Sequence, residues 1–284
     1  MKKIIGGALA SVIVFGSVLS LTSCGERLTL QTGTYAESGL VQTVKVDYEN
    51  AHLHLVFDGD AQKISAEFPY FLKGEEIFSE AKAVEKDGVL TITEKRVNQF
   101  GLNFNFKETP TLEIILPADR IYEIDLQTVN GGVTVSGDRA EFSAFEAETV
   151  NGKIVLDAEV HSTGGVELDK VNGGIFVGSF FGTILSAETV NGEITFQKEI
   201  SVRALSAATT NGSVQASAGI RASEIELKTA IGSITAKVVG QKDSYSITAG
   251  TEVGNSNLQS TEGGKENSLT VETSVGEIQI TFTE

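Results

Sequence analysis

Apolar and polar residues alternate on both sides of an Asn-Gly pair that recurs through the middle of the chain. Around Asn151, apolar Phe145 and Ala147 precede the pair, and Ile154 and Leu156 follow it. Alternation every two residues is the strand pattern, because successive side chains of a strand point to opposite faces. Each copy is therefore predicted to form two short strands joined at Asn-Gly.

The copies recur at a nearly constant interval, and their glycines from Gly131 to Gly232 are 19 to 21 residues apart. The predicted corner residues are Asn130, Gly131, Asn151, Gly152, Asn172, Gly173, Asn191, Gly192, Asn211 and Gly212, with glycine alone kept at Gly232 and Gly276. A fixed period of this size is typical of a solenoid, in which each repeat forms one coil and contacts only its neighbours.

Two architectures are compatible with the repeat. Asn-Gly between alternating runs is a strong hairpin signal, which would make the chain an antiparallel meander. The constant period favours the other reading, in which Asn-Gly is a corner and the copies stack through parallel strands. Stacking would place the asparagines in a ladder. It would also form a threonine column two residues earlier, made of Thr128, Thr149, Thr189, Thr209 and Thr229. The predicted fold is all-β, a single-chain β-solenoid resembling a parallel β-helix, with coils of about 20 residues.

The regular period divides the predicted solenoid domain, residues 41–284, into three parts. Residues 120–239 carry the regular repeats, and 240–284 form the C-terminal coils, with 269–282 as the last full copy. Residues 44–55 have the repeat pattern and are expected to be the first coil. Residues 60–117 depart from the period and are predicted to form an irregular elaboration that covers the N-terminal end of the stack, since an open stack end is an exposed sheet edge.

The first residues resemble a bacterial lipoprotein signal. Lys2 and Lys3 precede a short apolar stretch, and Leu21-Thr-Ser-Cys24 is similar to a lipobox, in which the chain is cut before an acylated cysteine. Cys24 is the single cysteine of the chain. Residues 1–23 are therefore predicted to be a signal peptide, Cys24 the lipidation site, and 24–40 a flexible tether. The predicted location is the bacterial cell envelope, with the membrane as a partner through the lipid anchor.

Composition narrows the function. A net charge of −16 argues against nucleic acid, which requires a basic face. The chain contains no Gly-x-Ser-x-Gly elbow, phosphate-binding loop, His-Glu-x-x-His motif or cysteine cluster. The sequence therefore predicts a protein that is not an enzyme, with no catalytic residues, no bound metal and no cofactor.

Three groups of residues are candidates for binding. His52 and His54 share one strand face and are expected to be solvent-facing rather than metal ligands. An aromatic group is expected to pack over the stack end rather than bind a partner; its members are Phe68, Tyr70, Phe71, Phe100, Phe104 and Phe106. Outward positions before the corners are acidic and are expected to form a solvated face that prevents lateral sheet pairing; they are Asp125, Glu146, Glu148, Glu167, Asp169, Glu188, Glu226 and Glu272.

The segments TVNGGVTV, TVNGKIVL, KVNGGIFV and TVNGEITF, with the upstream GVLTI and LEIILP, resemble a bacterial domain family of unknown function described as putative adhesins with β-strand repeats. The resemblance implies a β-solenoid displayed on the envelope, often lipid-anchored. The predicted function is a non-enzymatic, lipid-anchored envelope protein, a putative adhesin or binding scaffold for a surface glycan or protein. The alternative is a carbohydrate-active enzyme or a calcium-dependent glycan-binding protein that uses the acidic face.

Overall fold

The computed structural model describes residues 19–20, 28–73, 76–96, 109–261 and 263–283. Within them the chain is almost entirely strand. The strands are β1 (Leu19–Ser20), β2 (Leu28–Ala36), β3 (Thr43–Tyr48), β4 (His52–Asp58), β5 (Ser65–Lys73), β6 (Glu76–Lys86), β7 (Val89–Arg96), β8 (Thr111–Pro117), β9 (Tyr122–Asn130), β10 (Val133–Gly137), β11 (Arg139–Asn151), β12 (Ile154–Leu156), β13 (Glu159–Asn172), β14 (Ile175–Val177), β15 (Phe180–Asn191), β16 (Ile194–Phe196), β17 (Ile200–Ser201), β18 (Ala204–Asn211), β19 (Val214–Arg221), β20 (Glu224–Ile231), β21 (Ile234–Val239), β22 (Tyr245–Val253), β23 (Asn267–Val275) and β24 (Ile278–Thr283). A single 3₁₀ turn, Lys242–Ser244, is the one helical element described.

Parallel strands stack into two long sides of a solenoid. The side before the corner has the spatial order β7, β3, β9, β11, β13, β15, β18, β20, β23, β22. The side after the corner has the order β8, β4, β10, β12, β14, β16, β19, β21, β24. Asn191 pairs in parallel register with Asn172 and Asn211. The solenoid prediction is therefore confirmed, and the hairpin interpretation of Asn-Gly is wrong.

A third, shorter side appears in the central coils and was not predicted. It is formed by the first residues of β11, β13 and β15, by β17, and by the end of β19. Between this third side and the side before the corner, the register of strand pairing shifts, for example between Ser162 and Gly165. The two-strand repeat of the sequence therefore builds a three-sided coil, because the residues linking two copies pair with their equivalents as well.

Inward side chains of all coils form one continuous apolar core. The repeated apolar pairs on either side of each corner are almost fully buried; Ile194 and Phe196, for example, have 0% of their surface exposed. Near the N-terminal end, aromatic rings widen this core. Phe57, Tyr122, Phe142 and Phe145 pack edge-to-face or tilted, with ring centroids 4.7–6.0 Å apart. The period-two alternation places every such side chain in the interior.

At the N-terminal end the coils do not stack in chain order. Strands β7 and β8 form the outermost rung, and β3 and β4 lie between them and β9 and β10. The segment 44–55 is therefore the second rung, and the prediction that it is the first coil is wrong. The region 60–117 is also more regular than predicted, since it contains this outer rung. Its irregular part is β5 and β6, which pair antiparallel with β8 and β7 and cover their edges.

The tether prediction for residues 24–40 is wrong for the part that the structure describes. Strand β2 pairs antiparallel along the whole of β5. Glu37, which is buried, follows β2 and accepts hydrogen bonds from the amides of Val41 and Ile64 and from the guanidinium of Arg120. A Gly-, Ser- and Thr-rich composition indicated flexibility, but the free edge of β5 and these contacts hold the segment against the solenoid.

The C-terminal end repeats the inversion of chain order. Strand β22 lies outside β23, so the copy at 269–282 is followed in space by an earlier segment and does not close the stack. The loop before β23 covers the end. Asn257 pairs with β24 through its backbone amide to Ile278 O and through its side-chain amide, which donates to Ile280 O and accepts from Ile280 N. This loop thereby satisfies strand groups that would otherwise form an open edge.

Candidate functional site

The asparagines at the corner form a continuous hydrogen-bonded ladder. Each Nδ2 donates to the Oδ1 of the preceding rung at 2.9–3.1 Å, from Asn211 back through Asn191, Asn172, Asn151 and Asn130 to Asn50. The predicted ladder is present, and its side chains from Asn130 onward are exposed. Each amide uses one of its two N–H donors and part of its oxygen's acceptor capacity in the ladder. The remaining donors and acceptors face outward along the corner.

The predicted threonine column is present, and the structure places it buried beneath the ladder. Its hydroxyls donate to the carbonyl oxygen of the corner residue in the preceding rung, for example Thr149 to Gly131 at 2.7 Å and Thr229 to Gly212 at 2.8 Å. Lys170 takes the threonine position in one rung and donates from Nζ to Gly152 O. Burial, and then the nearby charge of Lys153, lower the pKa of Lys170 to about 8. The column satisfies carbonyls that the tight corner leaves unpaired by strand bonding.

Glycine is required at the corner mainly because successive rungs approach closely. A Cβ on Gly192 would lie 1.7 Å from Gly173 O and 2.3 Å from Gly173 C. Gly192 is not among the residues with positive φ, whereas Gly152 has a φ of 146°. A left-handed backbone therefore does not explain the glycine at position 192, and the close approach of the neighbouring backbone does.

A column of exposed valines flanks the ladder, one residue before each asparagine. Val129, Val150, Val171 and Val190 are 38–42% exposed. The Val that precedes each Asn-Gly pair from Asn130 to Asn191 is the sequence signal for this column. Because more than a third of each valine side chain is exposed, the column belongs to the surface of the corner and not to the core.

Two acidic columns lie on the same outward face, three and five residues before the asparagines. Register places Asp125, Glu146 and Glu167 in one column, and Glu148, Asp169 and Glu188 in the other. Lys45 Nζ lies 3.3 Å from Asp125. Further along, Lys228 pairs with Glu226 at 2.5 Å and with Glu272 at 3.5 Å. The predicted acidic face thus has a central group of stacked carboxylates, which Ser206 and Ala208 separate from Glu226 and Glu272.

Burial, and then mutual repulsion, raise pKa values on this face. Burial, followed by the charges of Glu167, Glu188, Glu148 and Glu146, raises the pKa of Asp169 to about 6. The pKa of Glu146 is raised as well, by burial and then by Asp125, Glu148 and Glu167. Stacked like charges about 4.8 Å apart are unfavourable, so a cationic group placed over this face would relieve repulsion.

The other predicted candidates have local partners. His52 Nε2 lies 3.0 Å from Thr134 Oγ1. His54 Nε2 lies 2.8 Å from Ser136 Oγ, and its Nδ1 lies 3.3 Å from a carboxylate oxygen of Glu113. Phe68 and Phe71 are buried, and Tyr70 is half-buried. Phe100, Phe104, Phe106 and Cys24 lie outside the described residues.

In the described ranges no cluster of three or more His, Cys, Asp or Glu side chains is arranged to hold a metal ion. No described helix has the length and apolar character needed to cross a membrane.

Parallel rungs in near-constant register, with ladders at the corner, define a β-solenoid repeat protein. The family model of Toastrack DUF4097 matches residues 58–281, which is more than half of the chain. The chain therefore belongs to this bacterial domain family of unknown function. No curated protein sequence matches it.

Several solved structures are similar at low identity. A putative lipid binding protein from Parabacteroides distasonis ATCC 8503 is 14% identical, with 89% of this chain and 97% of that chain covered, at a TM-score of 0.48. A putative adhesin (BF0245) from Bacteroides fragilis NCTC 9343 is 14% identical, with coverage of 89% and 97% and a TM-score of 0.43. A putative adhesin from Parabacteroides merdae ATCC 43184 is 11% identical, with coverage of 90% and 96% and a TM-score of 0.45.

Proposed function

We propose that this protein is a non-enzymatic binding scaffold of the bacterial envelope, held to a membrane by a lipid on Cys24. The observation that carries the proposal is the exposed corner, where the asparagine ladder and the valine column present the same groups at every rung. A rigid solenoid that repeats one geometry along its length offers an extended surface for a surface glycan or a protein.

The interior supports a scaffold role. Inward positions of the repeat are used for apolar packing, and the threonine column is used for corner hydrogen bonds. The polar groups that remain available lie on outer faces, where each side-chain amide of the asparagine ladder keeps one N–H donor and part of its oxygen's acceptor capacity for a partner. A surface of this kind, repeated at every rung, can recognise an extended partner.

The lipid anchor is tested by metabolic labelling with a radioactive fatty acid. The wild-type chain should incorporate label and sediment with membranes, and Cys24→Ala should do neither, because Cys24 carries the single thiol. Ser23→Ala keeps a small residue before the cysteine and serves as the matched control. Label retained by Cys24→Ala would remove the anchoring part of the proposal.

Binding is tested with the purified Cys24→Ala chain on arrays of envelope glycans and surface proteins. We expect binding to at least one class, without cleavage of the bound glycan. Arrays are run with calcium and with chelator. Loss of all binding in chelator, together with Glu146→Gln and Glu167→Gln variants that no longer bind, would instead favour a calcium-dependent glycan-binding protein. Absence of binding on every array would contradict the scaffold.

A further inference from the structure

Stacking does not require valine at the exposed corner positions. In the rung after Val190 the equivalent residue is Thr210, since Asn191 and Asn211 are in register. Threonine is also β-branched and is well suited to a strand. A polar residue of the same shape therefore fits this column, and four consecutive exposed valines are not explained by strand formation or by the core.

Most carboxylates beside the valines have no ion-pair partner in the part of the chain that the structure describes. Among the described residues, no lysine, arginine or histidine lies within ion-pair distance of Glu146, Glu148, Glu167, Asp169 or Glu188; the ion pairs nearest in the stack are Lys45–Asp125 and Lys228 with Glu226 and Glu272. Lys228, with Glu226 and Glu272, shows that the repeat can place a lysine among its acidic residues. In the rungs of Val150, Val171 and Val190, no lysine stands among the acidic residues of the outward face.

The dimensions of this surface match a helix. Four rungs at about 4.8 Å per step give a column about 14 Å long. Side chains on one face of an α-helix recur each turn, at about 5.4 Å, so two to three turns follow the column with little drift. A helix also presents different residues on its two flanks. Because the carboxylates lie on one side of the valine column, the surface would favour a helix whose basic residues lie on the matching flank.

We propose that the valine column and the adjacent acidic columns form a docking surface for a basic amphipathic helix of a partner protein. Its apolar stripe covers the valines, and lysines or arginines on one flank lie over the carboxylates. This inference rests on the proposed scaffold function and names the class of partner. A second copy of the chain does not fit this surface, because it would bring a molecule of net charge −16 and its own acidic columns against the first.

The test uses a fluorescein-labelled, 18-residue helical peptide with a leucine stripe and lysines along one flank. Binding to the purified full chain carrying Cys24→Ala is measured by fluorescence anisotropy at several salt concentrations. We expect saturable binding that weakens as salt rises, since exposed charges are screened beyond about 8 Å at 0.15 M ionic strength. A peptide with glutamates for lysines should not bind. A peptide with serines for leucines should bind roughly tenfold more weakly, because it covers no apolar surface.

Protein variants separate apolar contact from charge. Val150→Ser with Val171→Ser should weaken binding roughly tenfold at every salt concentration. Glu148→Gln with Glu188→Gln should weaken it mainly at low salt. The matched control is Ile231→Ser, which removes an aliphatic side chain 58% exposed at the same corner, in the rung where Lys228 balances the acids; binding should be unchanged. All three changes are at exposed positions, and unaltered thermal melting confirms that the variants fold.

Equal binding of the leucine and serine peptides, or unchanged binding by the valine variants, would overturn the inference, because charge alone would then explain attachment. If this peptide does not bind while an array partner does, the helix surface is wrong and the scaffold function stands. If neither the peptide nor any array member binds, both fail.

Discussion

Gly192→Ala tests the tight stacking of the corner with the smallest possible change. The added Cβ would lie 1.7 Å from Gly173 O, where ordinary contact begins near 3.4 Å. The obstructing atoms are backbone, so the rungs must separate locally by more than an ångström. Neither neighbour can move aside by changing a side-chain rotamer.

Separation would weaken three bonds that cross between these rungs. They are Gly173 N to Asn191 O at 2.8 Å, Asn191 Nδ2 to Asn172 Oδ1 at 3.0 Å, and Thr189 Oγ1 to Gly173 O at 3.2 Å. At about 1 kcal/mol each, their loss amounts to about 3 kcal/mol. For a domain of this size that corresponds to a fall in melting temperature of roughly 6–12 °C.

Gly165→Ala is the matched control. Gly165 also lies in a strand, but a Cβ there would meet nothing within 4 Å, and its φ is not in the left-handed region. This variant should be neutral or stabilised by about 0.4–1 kcal/mol, because alanine restricts the unfolded chain. Both proteins are melted by circular dichroism under the same conditions. Melting temperatures that agree within about 1 °C would refute the close-approach argument.

Three further predictions concern charge, core and edge. The pKa of Asp169 is about 6 in the folded state against an ordinary 3.8, so the folded state binds more protons between these pH values, and the free energy of unfolding should rise as pH falls from 7 to 5. Asp169→Asn should raise the stability to urea at pH 7 and flatten this pH dependence. A parallel loss of stability in both proteins on acidification would contradict this prediction. Ile194→Asp should cost more than about 4 kcal/mol in urea unfolding, because it buries an unpaired charge at a position with 0% exposure, whereas Thr195→Asp on the outward side should be tolerated. Asn257→Ala should expose the β24 edge and increase self-association in light scattering, while Asn255→Ala, whose side chain makes no such bond, should remain as dispersed as the wild type.

The central coils could be predicted from local pattern because each rung repeats the same requirements. The period of 19 to 21 residues, the alternation around Asn-Gly and the threonine two residues earlier together specified parallel stacking in register. The asparagine ladder and the threonine hydrogen bonds follow from that register, since like residues must then lie one rung apart. The acidic face followed for the same reason.

The two ends were decided by tertiary pairing. Nothing in the local pattern of residues 44–55 states that β7 and β8 will pair outside them, or that β22 will lie outside β23. Such choices depend on which free edges can be paired or covered once the whole stack exists. Strand β2 belongs to the same class, because its sequence resembles a linker and its structure depends on the edge of β5 and the contacts of Glu37.

The sequence alone shows that a glycine follows and a valine precedes successive corner asparagines, but it does not show the structural reason for either residue. The reason for Gly192 is the distance between rungs, which exists only after the backbone of Gly173 is in place. Val150 shares the outward parity of Glu146 and Glu148, but only the folded stack leaves it exposed in a column beside stacked carboxylates. Period and alternation are properties of the chain and can be read along it. Exposure at a corner and closeness between rungs are properties of neighbouring coils, so only the folded stack decides them.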